Sequence, residues 1–123
     1  MSEISMLETI CEAILKKQGR DGVIIDFHGQ SILCDYFVIA SGDSNRQIEA
    51  LVDSVQETLE KQFPGHCRIQ GTSDSGWVIL DAKDVIVHIF SREMRDFFQL
   101  EKLYLQYETR AFTKDDDESV SAV

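Results

Sequence analysis

The chain is poor in the residues that mark several classes of protein. It contains one proline and three cysteines, and the cysteines show no CxxC spacing. Cys11, Cys34 and Cys67 are an odd number without the spacing of metal ligands, so they predict neither a disulfide framework nor a zinc site. Free thiols are typical of a reducing compartment, and we therefore expect a cytoplasmic protein.

Long apolar runs are also missing from this sequence. No stretch approaches the roughly 20 consecutive apolar residues that a helix needs to span a bilayer. The N-terminus lacks a basic region followed by an apolar one, which is the pattern of a secretory signal. We therefore expect neither a membrane segment nor a secretory leader.

Basic residues are scarce relative to acidic ones. The chain has 12 Lys and Arg against 22 Asp and Glu, which gives a formal charge of −10. The acidic run at 115–118 with Lys114 contributes −3, and the remaining −7 lies on the rest of the chain. Such a surface repels phosphate backbones, and the sequence shows no local basic patch to offset that repulsion. We predict no direct binding of nucleic acid, no cofactor, and a basic protein as the partner.

The pattern of apolar residues predicts one α/β domain over residues 1–110, followed by an acidic disordered tail over 111–123. Helical periodicity predicts three helices, at 4–18, 45–62 and 92–107. We expect Ser5 and Glu8 to form a capping box in the first helix and Gly19 to end it. β-Branched and aromatic runs predict five strands, at 22–28, 32–40, 67–71, 76–81 and 84–90. The order αββαβββα indicates a sheet with helices packed on it.

Residues 76–90 predict a β-hairpin whose two faces differ in kind. With Ala82-Lys83 as a two-residue turn, the expected cross-strand pairs are Asp81 with Asp84, Ile79 with Ile86, and Trp77 with His88. Alternation along each strand predicts an aliphatic face for the core, made of Val78, Leu80, Val85, Val87 and Ile89. The opposite face is apolar but carries an indole, an imidazole and a carboxylate, and it consists of Trp77, Ile79, Asp81, Ile86, His88 and Phe90. We predict that this second face binds a partner, because protein interfaces concentrate Trp at their centres.

A second candidate is the sequence SGDS at 41–44, where a strand meets a helix. It is compatible with a helix cap, a docking surface or a phosphate site, since backbone amides at a helix N-terminus hold anions. A nucleotidyl transfer enzyme also needs acidic residues that converge on a magnesium ion. The strand after the helix reads CRIQG and supplies none. The other strand carboxylates are scattered, so we expect no metal site and no catalysis; these are Asp26, Asp35, Asp81 and Asp84.

Three motifs in this order resemble the ribosomal silencing factor family, also called the Iojap family. They are DYFVIASGDSNRQ, GWVILDAKDVIVHIFSREMRDFF and QLEKLY, and the resemblance covers residues 4–107. It implies a nucleotidyltransferase-like α/β fold without catalytic carboxylates. It further implies a repressor, a homodimer when free, that binds the large ribosomal subunit through its ribosomal protein number fourteen and blocks joining of the small subunit.

The resemblance places the family's docking surface on the Trp-bearing face of the hairpin. Arg95 and Tyr104 extend that surface, and Asp35, Ser41 and Arg46 belong to the other matched motif. The chain departs from the family pattern at Gln70, Lys83, Phe98 and Tyr104, and Lys83 requires positive φ at a non-glycine residue. Two alternatives stay open: a nucleotide-binding enzyme of the same fold, and a homodimeric adaptor unrelated to ribosomes whose acidic tail recruits a partner.

Overall fold

The computed structural model describes residues 3–112, which form one mixed β-sheet with helices on both faces. The helices are α1 (Glu3–Lys16), α2 (Asn45–Gln62) and α3 (Arg92–Phe98). The strands are β1 (Arg20–Asp26), β2 (Tyr36–Gly42), β3 (Arg68–Gln70), β4 (Trp77–Asp81), β5 (Val85–Ser91) and β6 (Glu108–Phe112). Short 3₁₀ turns occupy Ser73–Ser75 and Leu100–Tyr104. The predicted α/β class is confirmed.

The strands lie in the order β3-β4-β5-β2-β1-β6, and β2 with β5 is the parallel pair. A parallel pair needs a crossover connection, which α2 supplies between these two strands. β2 is central, and Val38, Ile39 and Ala40 are completely buried, as expected for a strand covered on both faces. No helix within residues 3–112 is long and apolar enough to cross a lipid bilayer.

The aliphatic face of the sheet packs against α1 and α2. Ile10 and Ile14 of α1 and Leu51 of α2 are fully buried against it, in one cluster with Leu80 and Val87. The apolar residues of α2 that recur at helical spacing are also buried, except that Val52 is only partly covered; they are Ile48, Leu51, Val52, Val55 and Leu59. This face is therefore the main core, as the alternation in the hairpin predicted.

The connection between β4 and β5 differs from the predicted turn. It holds three residues, 82–84, and Trp77 pairs with Phe90 while Ile79 pairs with His88. The predicted pairing of Trp77 with His88 is therefore wrong by two positions. Because side chains alternate with a period of two, this shift leaves both faces as predicted. Lys83 has φ +72°, and its N–H donates to Asp81 Oδ1 at 2.9 Å, which stabilises the positive φ.

Three further boundaries depart from the expectations. α1 begins at Glu3, so Ser5 lies inside the helix and does not cap it. The left-handed residue after α1 is Gln18 (φ +63°), one position before Gly19. β1 and β2 pair as a hairpin, but the connection runs over 27–35, so the strand predicted at 32–40 begins only at Tyr36.

The C-terminal part of the domain was predicted least well. The expected helix 92–107 ends at Phe98, where Gln99 adopts φ +46° and its N–H donates to Arg95 O. The chain then turns back and adds β6 beside β1, a strand that the sequence pattern did not predict. β6 continues through Phe112, which is buried, so the predicted boundary at residue 110 falls inside a strand. The tail predicted as disordered lies, from residue 113 on, outside the described residues.

Replacement of Gly71 by alanine is expected to destabilise the fold by about 1–3 kcal/mol, the usual cost of a strained backbone position. Gly71 has φ +90°, and an added Cβ would lie 2.3 Å from the carbonyl oxygen of Trp77. Gly65 (φ +83°) is the matched control, because a Cβ there meets nothing within 4 Å. Urea denaturation of both variants measures the difference, and equal losses would show that the contact with Trp77 adds nothing to the cost of positive φ.

Candidate docking surface

The second face of the β4–β5 hairpin forms a smaller, aromatic core with one open side. Phe90 is completely buried, and His88 is buried beside it. α3 and the 3₁₀ turn Leu100–Tyr104 cover this part of the sheet, through Leu100 and Tyr104. The other members of the face stay half-buried, because these helical segments cover them only in part; they are Trp77, Ile79, Asp81 and Ile86. The face predicted to bind a partner is thus divided into a buried part and an accessible part.

Trp77 lies at the border between the two parts. Its ring stacks on Phe90 with centroids 4.9 Å apart and contacts Phe98 at 4.8 Å. Phe98 is 41% exposed and packs edge-on against Phe97, which is 73% exposed. We refer to the accessible set as the Trp77 face: Trp77, Ile79, Asp81, Ile86, Phe97 and Phe98. Exposed aromatic side chains clustered in this way mark interaction sites.

His88 holds the indole in place. The Trp77 Nε1–H donates a hydrogen bond of 3.1 Å to His88 Nδ1, so the proton of the neutral imidazole lies on Nε2. Nε2 is buried and makes no hydrogen bond among the described residues. Burial lowers the pKa of His88 from 6.5 to about 4. The imidazole is therefore neutral at physiological pH and acts as a fixed acceptor for the indole.

The substitution His88→Asn is expected to reduce the pH dependence of stability. Between pH 6.5 and about 4 the unfolded chain binds a proton at residue 88 that the folded chain does not. The free energy of unfolding therefore falls as the pH falls through this window. The contribution of His88 to that free energy is fully present above pH 6.5. At about pH 5 the loss is on the order of 2 kcal/mol, and the asparagine variant should not show it.

Urea denaturation at about pH 7.5 and about pH 5 measures this difference. His66→Asn, the same exchange in the loop after α2 and outside the aromatic core, is the matched control. An unchanged profile in His88→Asn would contradict the assignment of His88 as the buried neutral histidine that loses stability in acid.

Arg95 and Ser41, predicted in separate motifs, are in direct contact. Arg95 Nη1 donates to Ser41 Oγ at 2.9 Å, and Arg95 Nε and Nη2 both donate to Glu101 Oε2. The Arg95 side chain is only 11% exposed. Its guanidinium thus joins α3, β2 and the 3₁₀ turn, and only a small part of it is accessible to a partner. Glu101 was missed as a partner, although it belongs to the matched motif QLEKLY.

The other predicted residues lie in three different places. Tyr104 is half-buried and contacts Phe37 and Phe27 edge-on, with centroids 5.2 and 5.5 Å apart. Asp35 ends the 27–35 connection beside the start of β5. Arg46 is exposed in the first turn of α2, the helix that packs on the opposite face of the sheet. The structure therefore does not bring Arg46 to the Trp77 face.

Sequence analysis also missed the exposure of the apolar residues around the helix break. Phe97 and Leu105 belong to the apolar stripe of one predicted helix, which would have buried both. The break at Gln99 instead leaves Phe97, Leu103 and Leu105 at least 66% exposed. The sequence signal for the break is weak, because Gln99-Leu100 contains neither glycine nor proline.

The whole chain matches a known family. Residues 1–122 match the family described as RsfS, ribosomal silencing factor during starvation. The chain belongs to the RsfS family. This confirms the resemblance seen in the three motifs and assigns the protein to the ribosome-associated silencing factors that act in repression of translation.

Relatives and solved structures agree with the RsfS assignment. The ribosomal silencing factor RsfS of Bacillus subtilis is 30% identical over 104 residues, which cover 85% of this chain and 88% of that protein. The mouse mitochondrial assembly of ribosomal large subunit protein 1 is 26% identical over 101 residues, covering 80% of this chain and 44% of that protein. A crystal structure of a protein from Chromobacterium violaceum superposes with a TM-score of 0.80 at 28% identity, covering 95% of this chain and 92% of that one.

The SGDS sequence of this RsfS chain forms a capped helix. Ser44 Oγ accepts from Gln47 N–H at 3.1 Å, and Asp43 N–H donates to the Gln47 side chain. The Asp43 carboxylate stands at the N-terminus of α2 and forms ion pairs with Arg20 and Arg92. Because the two guanidinium groups at this end of the helix already pair with Asp43, the arrangement favours the helix cap over the phosphate site.

One group of potential metal ligands occurs among residues 3–112, at the opposite end of β1. Asp26, His28 and Glu108 have ligand atoms within 4.8 Å of one another. In the sheet, Arg20 pairs with Ser41 near the start of α2, whereas Asp26 pairs with Tyr36 at the far end of both strands. This group is therefore not placed to act on a phosphate held at α2.

Proposed function

We propose that this RsfS chain represses translation in the cytoplasm without catalysis, by docking on the large ribosomal subunit. The contact is its ribosomal protein number fourteen, and the bound protein blocks joining of the small subunit. The observation that carries the proposal is the Trp77 face, an aromatic and aliphatic surface whose indole is held by Phe90 and His88. The resemblance in the hairpin motif supports the same surface, and the name of the mouse relative supports the large subunit.

This mechanism requires only binding to the large subunit and steric exclusion of the small one. A protein of 14.0 kDa on the subunit-joining side occupies space that the small subunit must enter. The net charge of −10 favours a basic ribosomal protein and accelerates encounter, so association should slow as the salt concentration rises. The apolar contacts of the Trp77 face then set the dissociation rate, as is usual for interfaces with buried aromatic anchors.

When free of the ribosome, the protein is proposed to form a homodimer through the same face. An exposed apolar patch is costly in water, and self-association is the simplest way to cover it. Dimerisation and docking would then compete, and the dimer would serve as a reserve of inactive protein. A dimer that binds the large subunit without dissociating, observed by light scattering of the purified complex, would contradict this competition.

Co-sedimentation with separately purified subunits tests the proposal. We expect the protein to pellet with large subunits and not with small ones, and to prevent reassociation when both are mixed. Pelleting with small subunits alone, or normal reassociation in the presence of saturating bound protein, would contradict it. Nucleoside triphosphates with magnesium should produce neither a thermal shift nor pyrophosphate, and either signal would favour the nucleotide-binding alternative.

A further inference from the structure

A groove opens on the α1 side of the sheet, away from the Trp77 face. It has a volume of about 700 Å³ and lies between α1 and the strands β1 and β6. Its apolar lining comes from Leu7, Cys11 and Leu15 of α1 and from Ile24 and Phe112 of the sheet. Cys11 and Leu15 are only partly covered. The groove is therefore an apolar surface at the margin of the main core.

The edges of this groove are mostly acidic. Glu8 and Glu12 are exposed one helical turn apart along α1, and Asp26 stands at the end of β1. Arg110 of β6 is the one basic residue in the lining. Burial raises the pKa of the Cys11 thiol to about 12, the Arg110 charge opposes the rise, and the charges of Glu12 and Glu8 add to it. These charged side chains thus surround the Cys11 thiol, where two carboxylates face one guanidinium group.

β6 contributes a second feature, the free edge of a sheet. It pairs with β1 on one side and is the last strand of the described sheet on the other. Its residues are largely exposed, apart from the half-buried Arg110 and the buried Phe112. The outer backbone groups of such a strand are available to another extended chain. The groove and the free edge lie side by side, because Arg110 and Phe112 project from β6 into the groove.

We propose that this groove is a second docking site, which takes a basic peptide segment of another protein as an added strand on β6. Apolar side chains of that segment would cover Cys11 and Leu15, and its Lys or Arg side chains would reach Glu8 and Glu12. The run 114–118 of this chain has a charge of −3 and is therefore repelled by the same edges. Because the Trp77 face lies on the opposite side of the sheet, both sites can be occupied at once.

Fluorescence anisotropy with a labelled peptide of the repeat Val-Ser-Lys-Ser, which as a strand presents valine and lysine on the same face, tests the proposal on the full chain. We expect saturable binding that Glu8→Lys with Glu12→Lys weakens by at least about tenfold, since like charges oppose each other across an interface. The matched control is Glu57→Lys with Glu60→Lys, the same change on exposed residues of α2. It should change binding by less than about twofold, because those residues lie outside the groove. Glu8→Gln with Glu12→Gln repeats the test if the lysine variant shows a lower melting temperature.

Two further peptides separate strand addition from simple charge attraction. A peptide of the same sequence with alternate backbone amides methylated keeps its charge but loses donors for β6, and it should bind much more weakly. Equal affinity of the methylated peptide, or equal loss in the α2 control, would overturn the proposal in favour of non-specific attraction. Displacement of the probe by a peptide of residues 113–123 would overturn it in favour of an internal occupant. None of these results depends on the ribosome.

Discussion

Trp77→Ala is expected to lose most of the binding to large ribosomal subunits while the protein stays folded. Truncation of an aromatic anchor at the centre of an interface costs about 2 kcal/mol or more, which is roughly 30-fold in affinity. Trp77 is half-buried, with the indole resting on Phe90 and Phe98 at 4.9 and 4.8 Å. Co-sedimentation at several protein concentrations measures the affinity, and thermal unfolding measures the stability.

Ile69→Ala is the matched control for Trp77→Ala. Ile69 pairs with Leu80 in the neighbouring strand, so it points to the helix side of the sheet, and it is 38% exposed. Its truncation removes apolar surface close to β4 but outside the Trp77 face, and binding should not change. If Trp77→Ala instead unfolded the protein and left binding per folded molecule unaltered, the indole would be a core residue and the docking surface would lie elsewhere.

Phe90→Ala is expected to have the largest effect on stability, a loss of about 3–5 kcal/mol in the free energy of unfolding. Phe90 is completely buried and stacks on Trp77 from the neighbouring strand, so its removal leaves a cavity that the surrounding strands cannot close. Urea denaturation measures the loss. Binding per folded molecule should also fall, because the indole loses the ring on which it rests.

Phe97→Ala is the matched control for this second prediction. It is the same exchange in α3, but Phe97 is 73% exposed and should cost no more than about 0.5 kcal/mol of stability. A loss at Phe90 as small as that at Phe97 would mean that the aromatic core does not support the Trp77 face. In that case, the division of the hairpin face into a supporting part and an accessible part would be wrong.

The two variants differ because one hairpin face serves two purposes. Both Trp77 and Phe90 were predicted as partner-binding residues, since alternation places them on the same side of the sheet. Alternation reports only which side of a strand a residue occupies. Whether a helix covers that side depends on where the chain goes after β5, and this is a tertiary property. Phe90 and His88 lie under α3 and the following 3₁₀ turn, whereas Ile79 and Ile86 do not.

The C-terminal region shows the same limit at the level of secondary structure. The periodicity of 92–107 is compatible with one helix, yet the chain breaks at Gln99 with φ +46°. The break allows Leu100 and Tyr104 to enter the aromatic core, and it returns the chain to β1 as β6. Burial of Leu100, Tyr104 and Phe112 outweighs the modest helical preference of the sequence there, because packing routinely overrides propensity.

The sequence by itself determined the α/β class, the family and the two unlike faces of the hairpin. These features depend on local periodicity and on motifs that occur in a fixed order along the chain. An error of two residues in the predicted strand pairing changes neither of them. Only the tertiary structure decided which half of the Trp-bearing face is open, that Arg95 reaches Ser41, and that β6 creates a groove beside α1. Each of these depends on contacts between segments distant in the chain, and such contacts leave no periodic pattern in the residues that make them.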